Sequence, residues 1–405
     1  MSGTHDSERP ILQGLRVLEL ASILAGPTTG QFLAELGADV IKVENPATGG
    51  DPTRHWRLAS EDPAAPVSAY FASANWGKRS IALDLTRPAG LDAVRDLARH
   101  SDVLIASFKP GDDVKLGLDP ATLAEANPAL IYARLSAYGM DDPRPGFDAI
   151  IQAESGFTYL NGEADGAPTK MPVALMDLLA AHQLKEAILL ALLARERNGA
   201  GRLVHVSLLD AALASLANQA SNYLVGGVIP QRMGSEHPNV VPYGAVYTLR
   251  DQRELVLAVG TERQWRQLTR ALDVPELASH SEYADNDSRV RNRHALHALL
   301  GARLDDLDAE EAAARLGAAG VPFGFVNDMR QVFEQASAQR VLLESGGLRG
   351  VRDVAAEGVD RRARVAPPPA YNAHGREILD ELAYTPEQIR ALIDDRAWPG
   401  SPGAR

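Results

Sequence analysis

The pattern of apolar positions divides the first 135 residues into alternating strands and helices. Short apolar runs predict buried strands, whereas apolar residues at helical spacing predict helices over residues 28–36 and 88–100. The predicted strands lie at residues 15–20, 38–43, 79–85, 102–107 and 130–135. Because strands that alternate with helices are typical of βαβ units, this part predicts an α/β fold with a Rossmann-like, doubly wound parallel sheet.

The second half of the chain has a different pattern of predicted elements. Long helical patterns at residues 175–197 and 208–224 precede a stretch rich in glycine and proline at 228–243, which indicates a connecting loop. After this loop the pattern predicts a pair of strands at residues 245–249 and 254–259. Short helices follow and reach about residue 319, and one more strand is predicted at residues 321–327. Residues 331–374 are predicted to be largely irregular. This change from alternating strands and helices predicts a second, smaller α+β domain.

Composition narrows the classes of protein that fit. The chain has 405 residues, which predicts two domains or one elaborated α/β domain. The formal net charge of −12 argues against nucleic acid or an anionic membrane as the main partner. The absence of cysteine excludes disulfides, thiolate metal sites and a cysteine nucleophile, and it fits a reducing compartment. With no apolar stretch long enough for a membrane span, the expectation is a cytoplasmic protein.

The familiar nucleotide and metal motifs are missing from the sequence. The turn after the first predicted strand, 24–27 (LAGP), lacks the glycine spacing of a dinucleotide site, and there is no P-loop. His294 and His297 lack the companions of a metal site, so they are interpreted as solvated surface residues and no metal is expected. Basic residues do follow or begin several strands, where they either bind a phosphorylated ligand or are solvated surface cations; they are Lys78, Arg79, Lys109 and Lys115.

Asp177 is the only charged residue in the run 171–181 (MPVALMDLLAA). A carboxylate in apolar surroundings is costly unless it is paired, hydrogen-bonded or protonated. A poorly partnered carboxylate is also a better nucleophile, and aspartates that form acyl intermediates are known. The alternative is that Asp177 caps the long helix that follows it.

Several segments, in order, resemble the class III CoA-transferases, the family of formyl-CoA transferase and carnitine CoA-transferase (CaiB/BaiF type). They include LRVLELASILAGPTTGQFLAELGADVIKVENP, WGKRSIALDL, GFDAIIQAESG, PVALMDLLAA, HPNVVPYGAVYT and RVRNRHAL. The resemblance covers the chain from Leu15 to Leu296. It implies an interlocked homodimer with a large Rossmann-like domain from residues 1–225, a smaller domain with linkers from 226–330, and a return to the large domain over 331–405.

The resemblance also implies a reaction. Asp177 matches the family's nucleophile, which attacks the donor thioester, passes through a mixed anhydride and becomes an aspartyl-CoA thioester before an acceptor carboxylate takes CoA. CoA thioesters are then substrates, and no permanently bound cofactor is expected. The positions that match CoA contacts are Leu24, Ala25, Asn45, Arg79, Phe108, Lys115 and Tyr138. Asn45 and Lys115 replace residues that are often arginine, and lysine lacks the bidentate fork of arginine.

Two other functions on the same scaffold are considered. An α-methylacyl-CoA racemase would need a second titratable group, but its histidine is replaced in Gly146-Phe147-Asp148, unless His182 or His237 takes that role. A non-catalytic acyl-CoA binding protein would be expected to lack the carboxylate of Asp177.

The acyl group is indicated by the loop 232–239 (RMGSEHPN), which resembles the branch acting on dicarboxylates with succinyl-CoA as donor. A distal carboxylate requires a cation or backbone amides. Arg54, Arg232 and His237 are therefore the candidate substrate-binding residues. The expected acyl pair is succinyl-CoA with a C4–C6 dicarboxylate such as mesaconate, itaconate, malate or glutarate.

Overall fold

The computed structural model describes residues 9–401, which form two compact units. The large unit contains the chain up to Ser155, the segment Pro172–Ala217 and the segment from Ser337 onward, and the small unit contains Gly156–Met171 and Asn218–Ala336. The domain boundaries at residues 225 and 330 stay predictions. The compact units differ from them in that Gly156–Met171 belongs to the small unit.

The described residues contain eleven strands, and most of them match the apolar runs of the sequence closely. They are β1 Arg16–Leu20, β2 Asp39–Glu44, β3 Lys78–Ala82, β4 Val103–Ala106, β5 Ile131–Ser136, β6 Arg202–Ser207, β7 Tyr243–Thr248, β8 Glu254–Ala258, β9 Phe323–Phe325, β10 Leu342–Ser345 and β11 Leu348–Val351.

The helices alternate with the strands in the first part of the chain and cluster after β8. They are α1 Ala25–Glu35, α2 Ala69–Ala72, α3 Pro88–Arg99, α4 Asp112–Leu116, α5 Pro120–Ala126, α6 Asp148–Glu154, α7 Phe157–Leu160, α8 Leu175–Asn198, α9 Leu208–Ala214, α10 Ala217–Leu224, α11 Glu262–Ala271, α12 Asn286–Arg291, α13 Arg293–Asp305, α14 Ala309–Ala318, α15 Met329–Glu334, α16 Gly375–Glu381 and α17 Pro386–Asp394.

The large unit is built on a six-stranded sheet in the order β3-β2-β1-β4-β5-β6, and all its strand pairs are parallel. This confirms the predicted α/β fold and parallel sheet. The order reverses direction between β1 and β4, and ligands of such sheets bind at the carboxyl ends of the strands at that point. The small unit has an antiparallel three-stranded sheet, β7-β8-β9, packed on Trp265 and Leu300.

The C-terminal segment completes the large unit by binding the edge strand β3 and the residues beside it. The Gly77 and Asp84 amides donate to the Ala366 and Ala397 carbonyls, each at 2.9 Å. Between them, the Ala82 amide donates to the Asn372 side chain at 3.0 Å. The edge that β3 would otherwise expose is therefore covered by the end of the chain.

Two of the secondary-structure predictions are wrong. The helix predicted over 208–224 is interrupted at Ser215, and Ala217 has a φ of 47°, which no helix continues through. The stretch predicted to be irregular contains the hairpin of β10 and β11, joined by Gly346-Gly347.

The longest helix, α8, has 24 residues, and its apolar side chains are distributed all round it. Leu184 and Ile188 are buried, whereas Leu190 and Leu193 are more than half exposed. Within residues 9–401, no helix combines the length and the apolar character needed to cross a membrane.

Candidate active site

A cavity of about 320 Å³ lies at the carboxyl edge of the sheet, next to the point where the strand order reverses. The ends of β1 and β2 and the turns that follow them form most of its wall. Asn45 and Phe108, two of the predicted CoA contacts, both line it. The fold therefore brings these two predicted residues together at the edge where a doubly wound sheet receives its ligand.

The turn between β1 and α1 carries the predicted contacts Leu24 and Ala25. Ile23, in this turn, has a φ of 74°, a conformation that costs a β-branched residue about 1–3 kcal/mol. Gly26 follows at the start of α1, where an added Cβ would lie 2.3 Å from the Cβ of Ala21. Glycine is therefore needed for the helix to approach β1 this closely.

Buried ion pairs lie directly beneath this edge. The Glu19 carboxylate accepts hydrogen bonds from the ammonium groups of Lys42 and Lys78, at 2.9 and 2.8 Å, and none of the three side chains is more than 2% exposed. Lys42 also pairs with Asp51 at 2.9 Å. Burial lowers the pKa of Lys78 to about 8, although Glu19 opposes this shift. We call Glu19, Lys42, Asp51 and Lys78 the buried charge cluster.

Arg54, a predicted substrate contact, lies in the same region and is 5% exposed. Its guanidinium donates two hydrogen bonds of 2.7 Å to the Glu44 carboxylate and stacks on the Phe71 ring at 3.6 Å. Its charge is thus already compensated by a protein carboxylate. A substrate role for Arg54 stays a prediction and would require this pair to open.

Asp177 is the third residue of α8 and is half-buried. The N-cap of the helix is Ala174, so the alternative in which Asp177 caps α8 is wrong. In the part of the chain that the structure describes, no group hydrogen-bonds or pairs with its carboxylate. Burial raises the pKa of Asp177 to about 7, and the charge of Asp148 adds to the rise. The helix N-terminus favours the ionised form, but desolvation outweighs it.

Asp148 and Tyr70 are the neighbours of Asp177 that the sequence pattern did not select. The Asp148 carboxylate accepts the Met176 amide at 2.9 Å and the Gln152 side chain at 2.7 Å, so it holds the first turn of α8. Tyr70, on α2, has its pKa raised by burial and by the charges of Asp177, Asp148 and Asp51. Tyr70 therefore lies within electrostatic range of both the nucleophile candidate and the cavity wall.

Besides Leu24 and Ala25, three further predicted CoA contacts lie outside the cavity wall. Lys115, on α4, is exposed and pairs with Asp112 at 2.9 Å. Tyr138 follows β5, and the Arg144 guanidinium stacks on its ring at 3.8 Å. Arg79 differs more, because it is the second residue of β3 and pairs in register with Ile41, in the middle of β2. Its guanidinium is held by carboxylates of the large unit, Asp39, Glu377 and Glu381.

The other two predicted substrate residues belong to the small unit. Arg232 donates to the Tyr159 carbonyl at 2.9 Å, and among residues 9–401 no carboxylate forms an ion pair with it. The His237 ring accepts the Asn239 amide at 3.1 Å and packs on Tyr243 at 5.3 Å between centroids. His237 is thus engaged within its own loop, whereas Arg232 keeps an uncompensated charge.

His297 was interpreted as a solvated residue, and this is wrong. Its ring lies 2.6 Å from the Tyr247 hydroxyl and 3.6 Å from the Glu236 carboxylate, in the wall of a small-unit cavity of about 630 Å³. His294 is exposed. Across the described residues no cluster of three or more histidine or acidic side chains is arranged to hold a metal ion.

Comparisons with known proteins place this geometry in a family. Residues 12–374 match CoA-transferase family III. A relative from Agrobacterium fabrum, named succinate–glutarate CoA-transferase, is 38% identical over 389 residues, covering 93% of this chain and 96% of the relative. A Mus musculus relative named succinyl-CoA:glutarate CoA-transferase is 34% identical, covering 96% and 90%. The crystal structure of a CAIB/BAIF family protein from Brucella suis is 38% identical, with a TM-score of 0.81, and the match covers 92% of this chain and all of that one.

Proposed function

The chain belongs to CoA-transferase family III, and from that premise we propose that it moves CoA from succinyl-CoA to a C4–C6 dicarboxylate, with glutarate as the first candidate acceptor, through a thioester on Asp177. The observation that carries the proposal is the carboxylate of Asp177, half-buried and without a partner among the described residues. An unpaired, poorly solvated carboxylate is a stronger nucleophile than one held by ion pairs. The names of the relatives from Agrobacterium fabrum and Mus musculus support the acyl pair.

The proposed steps exchange one activated acyl group for another. The Asp177 carboxylate attacks the thioester carbon of succinyl-CoA, the C–S bond breaks, and a mixed anhydride and CoA thiolate form. The thiolate attacks the aspartyl carbonyl of the anhydride and expels succinate, which leaves Asp177 as a CoA thioester. The acceptor carboxylate expels the thiolate from this thioester, and the thiolate then attacks the acceptor carbonyl and frees Asp177. No proton has to be transferred, so a single carboxylate suffices.

We place the CoA moiety at the carboxyl edge of the sheet, against Asn45 and Phe108 and beside Leu24 and Ala25, with Tyr138 near the thioester. Lysines on the neighbouring segment supply positive charge for the CoA phosphates. Lys109 has no ion pair of its own in the described structure, and both Lys109 and Lys115 lie close enough to Asp112 to lower its pKa. The CoA contacts are assigned from the positions of these residues at the sheet edge, and the phosphate role of the lysines is assigned from their charge.

The double variant Lys109→Ala/Lys115→Ala is expected to raise the KM for the acyl-CoA donor about tenfold and to leave kcat nearly unchanged. The reason is that exposed charges attract phosphate at a distance and act equally on ground and transition states. Initial rates between 20 and about 300 mM salt provide the check, since the wild-type KM should rise with salt. A salt-dependent KM in the double variant as steep as in the wild type would contradict the assignment.

The pH dependence of the reaction should report the raised pKa of Asp177. The nucleophile must be ionised, so kcat/KM for the donor is expected to rise with pH and level off above an apparent pKa of about 7. Removing the neighbouring charge in Asp148→Asn should move this limb to lower pH, because the like charge that disfavours ionisation is gone. Rate profiles between pH 5 and 9 test this. A profile already flat at pH 5 in the wild type would exclude a raised pKa in the free enzyme.

We assign recognition of the distal carboxylate of the acceptor to Arg232, the predicted substrate cation that keeps an uncompensated charge. Arg232→Gln is expected to lower kcat/KM for glutarate by about tenfold to a hundredfold, as loss of a charge-assisted hydrogen bond does. Rates with monocarboxylates such as butyrate should be nearly unchanged. The idea fails if wild-type enzyme prefers monocarboxylate acceptors, or if the variant loses both acceptor classes equally.

We also propose that the working form is a homodimer, interlocked as the family resemblance implies. Exposed leucines on α8 and beside it support a partner surface, since contiguous apolar patches are otherwise rare on monomers; they are Leu189, Leu190, Leu193, Leu203 and Leu213. Sedimentation of the active enzyme as a monomer at micromolar concentration would contradict this.

The decisive experiment for the covalent step is mass spectrometry of the intact protein after incubation with succinyl-CoA and hydroxylamine. Hydroxylamine converts an activated aspartyl group into a stable hydroxamate, which peptide mapping should place at Asp177. Asp177→Ala should yield no adduct. If wild type forms no adduct with any of several acyl-CoA donors, α-proton exchange in deuterated water becomes the next test, because a racemase would show it.

A further inference from the structure

The turn between β1 and α1 holds a conformation that its own sequence disfavours. Ile23 is β-branched, and its φ of 74° lies in the left-handed region that such residues avoid. The two residues after it, Leu24 and Ala25, are among those proposed to contact CoA. Something outside the turn must therefore stabilise its shape, because local preference alone would return Ile23 to an extended or helical conformation.

The Asp51 side chain provides that stabilisation. Both of its carboxylate oxygens accept the Ile23 amide, at 3.4 and 3.2 Å, across 28 residues of sequence. Asp51 is itself held in place, because its Oδ1 accepts the Thr53 amide and hydroxyl at 3.0 and 2.7 Å. With 3% of its surface exposed, the carboxylate has little freedom to turn away.

Lys42 also stabilises this turn, through a hydrogen bond to its backbone and an ion pair with Asp51. Its ammonium pairs with Asp51 Oδ2 at 2.9 Å and donates to the Ala21 carbonyl at 2.8 Å. The turn is thus held at its carbonyl by Lys42 and at its amide by Asp51, and the two side chains hold each other. Both residues also line the cavity at the sheet edge.

We propose that Asp51 is a positioning residue that keeps the β1–α1 turn in its left-handed conformation and thereby sets the shape of the acyl-CoA cavity. The inference rests on the proposed function only for the identity of the ligand. It assigns part of the buried charge cluster a role beyond stability, since Asp51 and Lys42 form the connection between that cluster and the turn.

The structural part of the proposal is tested by hydrogen exchange at the Ile23 amide. In Asp51→Ala this amide should exchange at least about tenfold faster than in the wild type, because its acceptor is gone. Thr53→Val keeps both charges and should give a smaller change in the same direction, which leaves a usable variant if Asp51→Ala does not fold. Asp353→Asn, which removes a carboxylate that pairs with buried Lys185, is the matched control and should leave Ile23 protection unchanged.

The functional part is tested by rescue. Asp51→Ala should raise the KM for succinyl-CoA about tenfold to a hundredfold with a smaller effect on kcat, as expected when a binding surface is displaced. Adding Ile23→Gly should recover much of the KM, because glycine adopts positive φ without the steric penalty. A purely stabilising role would lower the melting temperature without a KM change and without rescue.

The two proposals can fail separately. Unchanged Ile23 exchange in the folded Asp51 or Thr53 variants overturns the positioning role while leaving CoA transfer intact. Wild-type protein that shows no transfer with any donor overturns the proposed function, and the exchange result then still decides whether Asp51 holds the turn. Faster exchange with an unchanged KM overturns the link between the turn and the cavity.

Discussion

Asp177→Asn is expected to lose at least about a thousandfold in kcat and at the same time to become more stable. Losing a covalent nucleophile removes the step on which the later ones depend, and losses of this size or larger are typical. The amide keeps the size of the side chain, so binding of CoA should be nearly unchanged. Steady-state rates, together with the affinity for free CoA by calorimetry, separate the two effects.

The gain in stability follows from the direction of the pKa shift. The folded state binds a proton at Asp177 up to about pH 7, whereas the unfolded chain releases it near pH 3.9, so the free energy of unfolding falls as pH rises between those values. Above pH 7 the ionised carboxylate is fully destabilising. Each pKa unit corresponds to about 1.4 kcal/mol, and partial solvent contact reduces the sum, so we expect Asp177→Asn to gain about 1–2 kcal/mol at pH 8.

Denaturant unfolding at pH 8 and pH 4 measures this gain. The difference between wild type and variant should be present at pH 8 and small at pH 4, where both side chains are neutral in the folded state. His182→Asn, at an exposed position of the same helix, is the control for activity and stability and should match the wild type. Loss of activity in His182→Asn would revive the two-base racemase mechanism, and a destabilised Asp177→Asn would contradict the burial of an unpaired charge.

Glu19→Gln is expected to destabilise the protein by about 3–5 kcal/mol, the usual result of removing one partner from a buried charge pair. The substitution leaves Lys42 and Lys78 buried with Asp51 as the remaining carboxylate of the buried charge cluster. There is no room to relax, because α1 passes so close that a Cβ at Gly30 would lie 1.9 Å from Glu19 Oε2. Urea unfolding measures the loss.

The pH dependence identifies the cause. Since burial already lowers the pKa of Lys78 to about 8, its proton is the one that the variant can release most easily. A lowered folded pKa means that the unfolded chain binds more protons, so the variant should regain stability as pH rises toward 9. Glu19→Gln/Lys78→Met should recover part of the loss. Asp380→Asn, which breaks an exposed pair with Arg376, should change stability by less than about 0.5 kcal/mol. A similar small loss for Glu19→Gln would show that water reaches the cluster.

The sequence predicts the sheet well because a parallel strand that is buried on both faces gives a short continuous run of apolar residues. The runs at residues 15–20 and 38–43 correspond to β1 and β2 within a residue. The break between α9 and α10 could not be predicted from the sequence, because Ala217 has a positive φ although alanine is a residue that favours helix. The β10–β11 hairpin did carry a signal, because Gly346-Gly347 between short apolar stretches is typical of a two-residue turn.

The candidate site was predictable where one residue carries the signal and unpredictable where the signal lies in a contact. Asp177 is conspicuous because it is the one charge in an apolar run. Its neighbour Tyr70 lies far away in sequence and acts only through proximity. Arg79 shows the same limit, since the sequence does not reveal that Glu377 and Glu381, almost 300 residues away, form ion pairs with its guanidinium.

The C-terminal segment that covers β3 has a consequence for synthesis. Strand β3 is translated about 300 residues before the groups that cover it, Ala366, Asn372 and Ala397. Until then the nascent sheet exposes an unpaired edge, which is a template for pairing with other chains. Closing this contact joins residues about 300 positions apart, and such long-range closure is slow. We therefore expect the large unit to need protection by chaperones during translation until residues 366–397 have been made.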